Sequence, residues 1–245
     1  MTVKSEEDLT ALKRIGRIVR QATEKMLAAM RPGITTAELD EIGRRFLLSQ
    51  GARSAPKLAY DFPGWTCISV NDEAAHGIPG PRRLREGDLV NIDVSAELDG
   101  YWADTGASRP VGKPRPEIAK LCHATRASLN KGLAAARAGR LINRIGRAVE
   151  REAARRGYRI LEGLAGHGVG RGIHEQPSVL NQFQPGDRTR LHKGLVITIE
   201  PFLTKGRGDV YLADDGWTLK TGDGALSAQY EHSLVVTDGR PIILT

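Results

Sequence analysis

The sequence predicts an α+β fold: two similar halves that close around one antiparallel sheet. Three observations lead there. Segments with apolar residues at helical period come in two pairs, and runs with strand patterning follow each pair. No Pro/Gly/Ser-rich linker separates the halves, so residues 1–245 read as one domain, although no residue-by-residue repeat is legible.

Ser5-Glu6-Glu7-Asp8 has the spacing of a capping box, and Leu9, Leu12, Ile15, Ile18 and Val19 then recur at helical period. That helix runs to about Ala29, where Arg31-Pro32-Gly33 stops it. Thr35-Thr36-Ala37-Glu38 is a second capping box, opening a helix through Leu39, Ile42, Phe46 and Leu47 that ends at Gly51. From Cys67 to Arg109 the pattern changes to short alternating or wholly apolar runs, among them Cys67–Val70 and Leu89–Val94, set off by Gly and Pro turns; these are strands. Pro116-Glu117 starts a third helix through Ile118, Leu121, Ala124, Ala127 and Leu129, and a fourth covers Ile142 to Arg156 before Gly157. Strands return at Val196–Ile199, Asp209–Leu212, Ser233–Val236 and Ile242–Leu244.

Composition narrows the function classes. Of 245 residues 40% are hydrophobic and 27% charged, which excludes disordered and fibrous chains and is enough to bury a substantial core. No apolar run approaches the roughly 18 residues of a membrane span. The first residues carry Glu6, Glu7 and Asp8 where an export signal would be basic and then apolar, and Cys67 and Cys122 are too few to staple a chain of this size. A cytoplasmic protein with no membrane association is expected. The net charge of +7 admits a nucleic-acid-facing or ribosome-facing surface. The basic residues are nevertheless spread along the chain with no block of five like charges, which favours an ordinary solvated basic surface.

Acidic and imidazole side chains interrupt the strand patterns where apolar residues should continue. Asp93 lies in a run, 89–95, otherwise suited to burial, and an isolated carboxylate there costs many kcal/mol unless it is paired, protonated or bound to a cation. Asp99-Gly100 is a strong two-residue hairpin turn. If it forms, Leu98 faces Tyr101, Ser95 faces Asp104, and Asp104 lies diagonal to Asp93 on one sheet face. Two such carboxylates imply a metal site, an acid/base dyad or a structural hydrogen-bonded turn. Glu200 ends the apolar run 195–199 before Pro201, and Glu231 enters another; each taken singly reads as a strand end facing water. Four such cases in one chain point to a shared site.

Gly166–Pro177 adds His167 and His174 in a glycine-rich stretch, read as a rigid loop that presents imidazoles inward. A phosphate cradle is the rival, but no Lys-Ser/Thr follows the glycines. His76 precedes a tight turn, where a lone histidine is ordinarily surface decoration. Asp93, Asp104, His167, Glu200 and Glu231 form an oxygen-rich set with one histidine, which suits two divalent ions (Mn, Fe, Co or Zn) with bridging carboxylates rather than a structural zinc. Hydrolysis is the natural chemistry of such a pair.

Asn91-Ile92-Asp93-Val94, Asp104-Thr105, Gly166–Gly170, Thr198-Ile199-Glu200-Pro201 and Ser227–His232 together resemble the methionine aminopeptidases of the bacterial type I class, members of the M24 metallopeptidases. The resemblance runs from about Ser5 to the end of the chain. Any one motif is weak; all five in order, with the aspartates eleven positions apart, are highly specific. The resemblance implies the pita-bread fold, a pseudo-twofold curved antiparallel sheet flanked by two helix pairs. It implies that Asp93 chelates one ion, that His167 and Glu200 hold the other, and that Asp104 and Glu231 bridge both. His76 and His174 match substrate-contacting histidines that stabilise the tetrahedral intermediate, and Glu200 matches the proton carrier. Tyr60, Phe62, Cys67 and Trp217 match an apolar pocket for the methionine thioether, and Ile173 stands where the family often has a bulky aromatic.

The activity so implied is removal of the initiator methionine from nascent polypeptides when the second residue is small, by a metal-activated hydroxide. Nascent polypeptide N-termini are the expected partners of a monomeric protein, and the ribosome is a candidate partner for its basic surface. No zinc-finger extension and no long type II insertion is expected. Two rivals stand beside it. A prolidase or Xaa-Pro aminopeptidase on the same fold usually carries an additional N-terminal domain. A catalytically dead relative that binds RNA or ribosomes typically loses metal ligands, all five of which are present here.

Overall fold

A computed structural model describes residues 1–245. In chain order the elements are α1 (Glu6–Ala29), α2 (Thr36–Ser49), β1 (Arg53–Ser54), α3 (Ala55–Tyr60), β2 (Cys67–Val70), β3 (Glu73–Ala75), β4 (Leu89–Leu98) and β5 (Tyr101–Pro110) in the first half. The second half holds α4 (Pro116–Ala135), α5 (Asn143–Arg155), β6 (Arg159–Ile160), β7 (Ala165–Gly168), β8 (Glu175–Leu180), β9 (Val196–Ile199), β10 (Phe202–Thr204), β11 (Val210–Leu212), β12 (Leu219–Thr221), β13 (Ser227–Gln229), β14 (His232–Val235) and β15 (Ile242–Ile243).

The helix starts follow the sequence. The Thr35 hydroxyl accepts from the Glu38 N–H, and the Glu38 carboxylate accepts from the Thr35 N–H, a complete capping box. At α1 only half of the box forms as expected: Ser5 accepts from Asp8, but the Asp8 carboxylate reaches the Lys4 N–H rather than that of Ser5. The Asp99-Gly100 turn has φ of 53° and 80°, the left-handed pair that a type I′ hairpin requires, and it sets the register Leu98↔Tyr101, Ser95↔Asp104 and Asp93↔Gly106.

The named strand pairings are antiparallel throughout, as expected, and fall into four hydrogen-bonded groups. The halves meet where β5 runs beside β14, and there the ladder shrinks to one bridge, Ala107↔Tyr230, and one backbone bond, from the Glu231 N–H to the Gly106 carbonyl, with side chains supplying the rest. Ser233 Oγ accepts from the Asp104 N–H at 3.0 Å and donates to its carbonyl at 2.8 Å, and Thr105 donates to the Glu231 carbonyl. Each half has its own core. Ile15, Val19, Ala22, Leu39, Ile92 and Val94 belong to one, between α1, α2 and β4; Ile118, Leu129, Ile145, Val149, Ile197 and Ile199 belong to the other, between α4, α5 and β9. At about 25 cal/mol per Å² of apolar surface withdrawn from water, these layers are what fix the strands beneath them.

On β4, Val90, Ile92, Val94 and Ala96 point at the helices, while Asn91, Asp93, Ser95 and Glu97 share the opposite face. On β9 and its extension Ile197 and Ile199 face the core and Thr198 and Glu200 the other way; on β13 and beyond, Ala228 and Tyr230 alternate with Gln229 and Glu231. The run around Asp93 is therefore alternating. Both faces are covered, one by helices and one by the opposing half, so a polar strand face becomes the lining of a cleft.

Candidate active site

Five side chains from five places in the chain converge on that lining. Asp93 lies on β4, Asp104 on β5 and His167 on β7; Glu200 follows β9 and Glu231 links β13 to β14. His167 is thus on a strand, not in the loop expected for Gly166–Pro177, most of which is the β7–β8 pairing and its turn. The glycines are there for close approach: a Cβ on Gly166 would lie 2.5 Å from the Thr198 carbonyl oxygen, and one on Gly168 2.3 Å from that of Gln176. Glu200 and Glu231, which taken singly read as strand ends facing water but with the aspartates point to a shared site, are 8% and 1% exposed.

His167 Nε2 is 3.7 Å from Asp104 Oδ2 and 3.4 Å from Glu200 Oε1, and ligand atoms of Asp104, His167 and Glu231 lie within 4.8 Å of one another. These separations exceed direct hydrogen bonds and match what one ion with bonds of about 2.0–2.2 Å spans. Asp104 Oδ1 and Glu231 Oε1 are buried with no hydrogen-bond partner. An ionised carboxylate is not left orphaned in a protein interior without a cation to face.

The electrostatics agree. Burial raises Asp93 well above the ordinary carboxylate range, with Asp104 and Glu200 adding repulsion. Burial likewise raises Glu200 and Glu231, with Asp104 the next cause in each, and pushes Asp104 up to about 6. Burial, then neighbouring His174, lowers His167 to about 4, so its ring is neutral and free to ligate. Four carboxylates with raised pKa and one neutral imidazole are a donor set that a divalent cation ionises.

Each carboxylate from the second half has a polar residue two positions earlier on the same strand face, and these the sequence reading did not single out. Thr198 Oγ1 donates to Glu200 Oε1 at 3.1 Å and accepts from the His167 N–H at 3.1 Å. Gln229 Nε2 donates to Glu231 Oε2 at 3.0 Å, and its carbonyl oxygen accepts from Asn91 Nδ2 at 2.7 Å. The period-2 recurrence of Asn91/Asp93, Thr198/Glu200 and Gln229/Glu231 was the available signal. Such partners orient metal ligands and tune their basicity.

A cavity of about 340 Å³ opens beside the carboxylates. Asp93, Asp104 and Ser95 line it together with Tyr60, Phe62, Cys67, Ile173 and Trp217, and His76 and His174 border the same space. All four residues expected in an apolar pocket are there, and the Phe62 and Trp217 rings meet edge to face at 5.2 Å. His76 follows β3 at φ 56°, a left-handed backbone conformation uncommon for a non-glycine residue and one concentrated at functional sites. Burial is the first cause lowering the pKa of both flanking histidines, although each keeps an open edge to solvent. No helix is long and apolar enough to cross a membrane.

Comparison with known proteins agrees with this geometry. Residues 10–238 match the model of metallopeptidase family M24. Methionine aminopeptidase 2 of Bacillus subtilis (strain 168) is 47% identical over 247 residues, covering 100% of this chain and 99% of that protein. The crystal structure of methionine aminopeptidase from Rickettsia prowazekii superposes with a TM-score of 0.96 at 34% identity, each chain covered in full. The prolidase from Pyrococcus furiosus shares the fold at a TM-score of 0.80 and 22% identity, and this chain covers 65% of its length.

Proposed function

The chain belongs to metallopeptidase family M24 and is an aminopeptidase of the methionine class; we propose that it excises N-terminal methionine from polypeptides whose second residue is small, as one catalytic domain spanning residues 1–245. The observation that carries this is the pair of partnerless buried oxygens, Asp104 Oδ1 and Glu231 Oε1, beside an apolar cavity. The donor set fits divalent metal: Asp93, Asp104, His167, Glu200 and Glu231 would hold two ions, Mn, Fe, Co or Zn. When bound, such ions supply Lewis-acid polarisation of a carbonyl and lower the pKa of water.

The rest is the work of the chain's own residues. Phe62, Cys67, Ile173 and Trp217 take up the methionine side chain, where a polarisable thioether packs well on aromatic and sulfur surface. The carboxylate-lined floor favours the cationic α-amine of a free N-terminus, so internal peptide bonds are not presented. His76 and His174, which line the same cavity, direct N–H donors at the scissile carbonyl, where charge develops. Glu200, raised by burial and held at one oxygen by Thr198, carries the proton to the leaving amine. The purified protein with Co, Mn, Fe or Zn should release methionine from Met-Ala and leave Ala-Pro intact, and Asp104→Asn should abolish release. Full activity in that variant refutes the assignment, and turnover of Ala-Pro in place of Met-Ala moves the enzyme to the proline-directed branch.

A further inference from the structure

Tyr60 has a second use besides walling the cavity. Its hydroxyl lies 2.5 Å from His174 Nδ1, with ring centroids 5.5 Å apart. Tyr60 is the last residue of α3, and that end is pinned. Asp61 turns the chain in the left-handed region at φ 58°, its N–H donates to the Lys57 carbonyl, and Lys57 Nζ donates to the Phe62 and Pro63 carbonyls. On the other side the His174 ring meets His167 edge to face at 4.4 Å. That contact engages the ring without a hydrogen bond to either of its nitrogens.

We propose that Tyr60 is the positioning residue for His174: its hydroxyl donates to Nδ1, which fixes the ring's orientation and places the proton on Nε2. A phenol is a donor at neutral pH, and a neutral imidazole accepts only at its unprotonated nitrogen. With Nδ1 accepting, the ring's sole N–H is on Nε2, the nitrogen left for a substrate carbonyl in the cavity. The ring keeps its charge throughout. A carboxylate commonly holds such a histidine from behind; here an aromatic hydroxyl does so from the rim of the pocket. The side chain that walls the methionine site therefore also sets the donor beside it. The kinetic part of this inference rests on the aminopeptidase reading, and the tautomer part does not.

Tyr60→Phe keeps the aromatic wall and removes the hydroxyl. Long-range 1H–15N correlation spectra of histidine-labelled protein at pH 8, metal-free and zinc-loaded, report which ring nitrogen carries the proton; comparison with His174→Gln assigns the signal. The wild type should show Nδ1 as acceptor and Nε2 protonated, and Tyr60→Phe should populate the Nδ1–H form. On Met-Ala, kcat should fall about tenfold with KM within twofold, whereas Tyr60→Ala should also raise KM. An unshifted tautomer in Tyr60→Phe overturns the proposal, as does a shifted tautomer with unchanged kcat. If the wild type releases no methionine the activity reading fails, and the spectra still decide the role of Tyr60.

Discussion

The seam between the halves can be weighed with two serine substitutions of identical chemistry. Ser233→Ala removes a hydroxyl that accepts from the Asp104 N–H at 3.0 Å and donates to the Asp104 carbonyl at 2.8 Å, in a position with no solvent exposure. Leaving a buried polar group unsatisfied costs about 1–3 kcal/mol, so two such groups cost about 2–6 kcal/mol, a large part of the roughly 5–15 kcal/mol that holds a domain folded. Ser227→Ala, one strand away, removes an Oγ that is buried with no partner. That change should fall between neutral and about 1 kcal/mol stabilising, since it relieves an unpaid desolvation. Urea unfolding of both metal-free variants against wild type measures the difference, and metal titration should show weaker binding only for Ser233→Ala, which loosens the backbone of Asp104. Unfolding free energies of the two variants within about 1 kcal/mol of each other would refute the idea that this side chain extends the seam beyond its single backbone bridge.

Other outcomes follow from the centre. Asp104 is raised when folded, so in the metal-free protein its contribution to stability is full below the ordinary carboxylate range and is lost as pH rises through about 6. Unfolding from pH 4 to 7 should therefore show Asp104→Asn gaining on wild type, the more so because Asp93, Glu200 and Glu231 then lose the Asp104 repulsion that helps raise them; a constant difference would contradict the shift. Thr198→Val removes one hydrogen bond to Glu200 and one from the His167 N–H, and calorimetric titration with Mn should show affinity lower by about 10–100-fold with the fold retained. Trp217→Ala deletes the edge-to-face partner of Phe62; it should raise KM for Met-Ala by about tenfold with a smaller effect on kcat, as steady-state kinetics will show.

Much of this was readable before the coordinates, for reasons that differ by residue. The helix pairs announce themselves through caps and a 3.6-residue period, and Asp99-Gly100 alone fixed the register that places Asp93 diagonal to Asp104. Short strands such as β3, β10, β12 and β13, three residues each, carry no period to detect. β7 hid behind its glycines, which the backbone packing demands but which read as a turn. The burial of Glu200 and Glu231 was legible only through their company with Asp93 and Asp104, because a polar strand face taken alone means solvent unless the sheet curls over it, and curvature is a property of the whole assembly. Thr198 and Gln229 were passed over because neither titrates, although they stand two residues before the groups they hold.

Asp93 and Asp104 come from one core and His167, Glu200 and Glu231 from the other, so neither fragment of a chain cut within residues 111–115 would possess a working set of ligands. Cation uptake then reports reunion of the pieces, in the manner of a split reporter. By mass action each tenfold excess of free cation over its dissociation constant adds about 1.4 kcal/mol to the joined state, which makes the cell's trace-element supply a lever on whether the two lobes stay together.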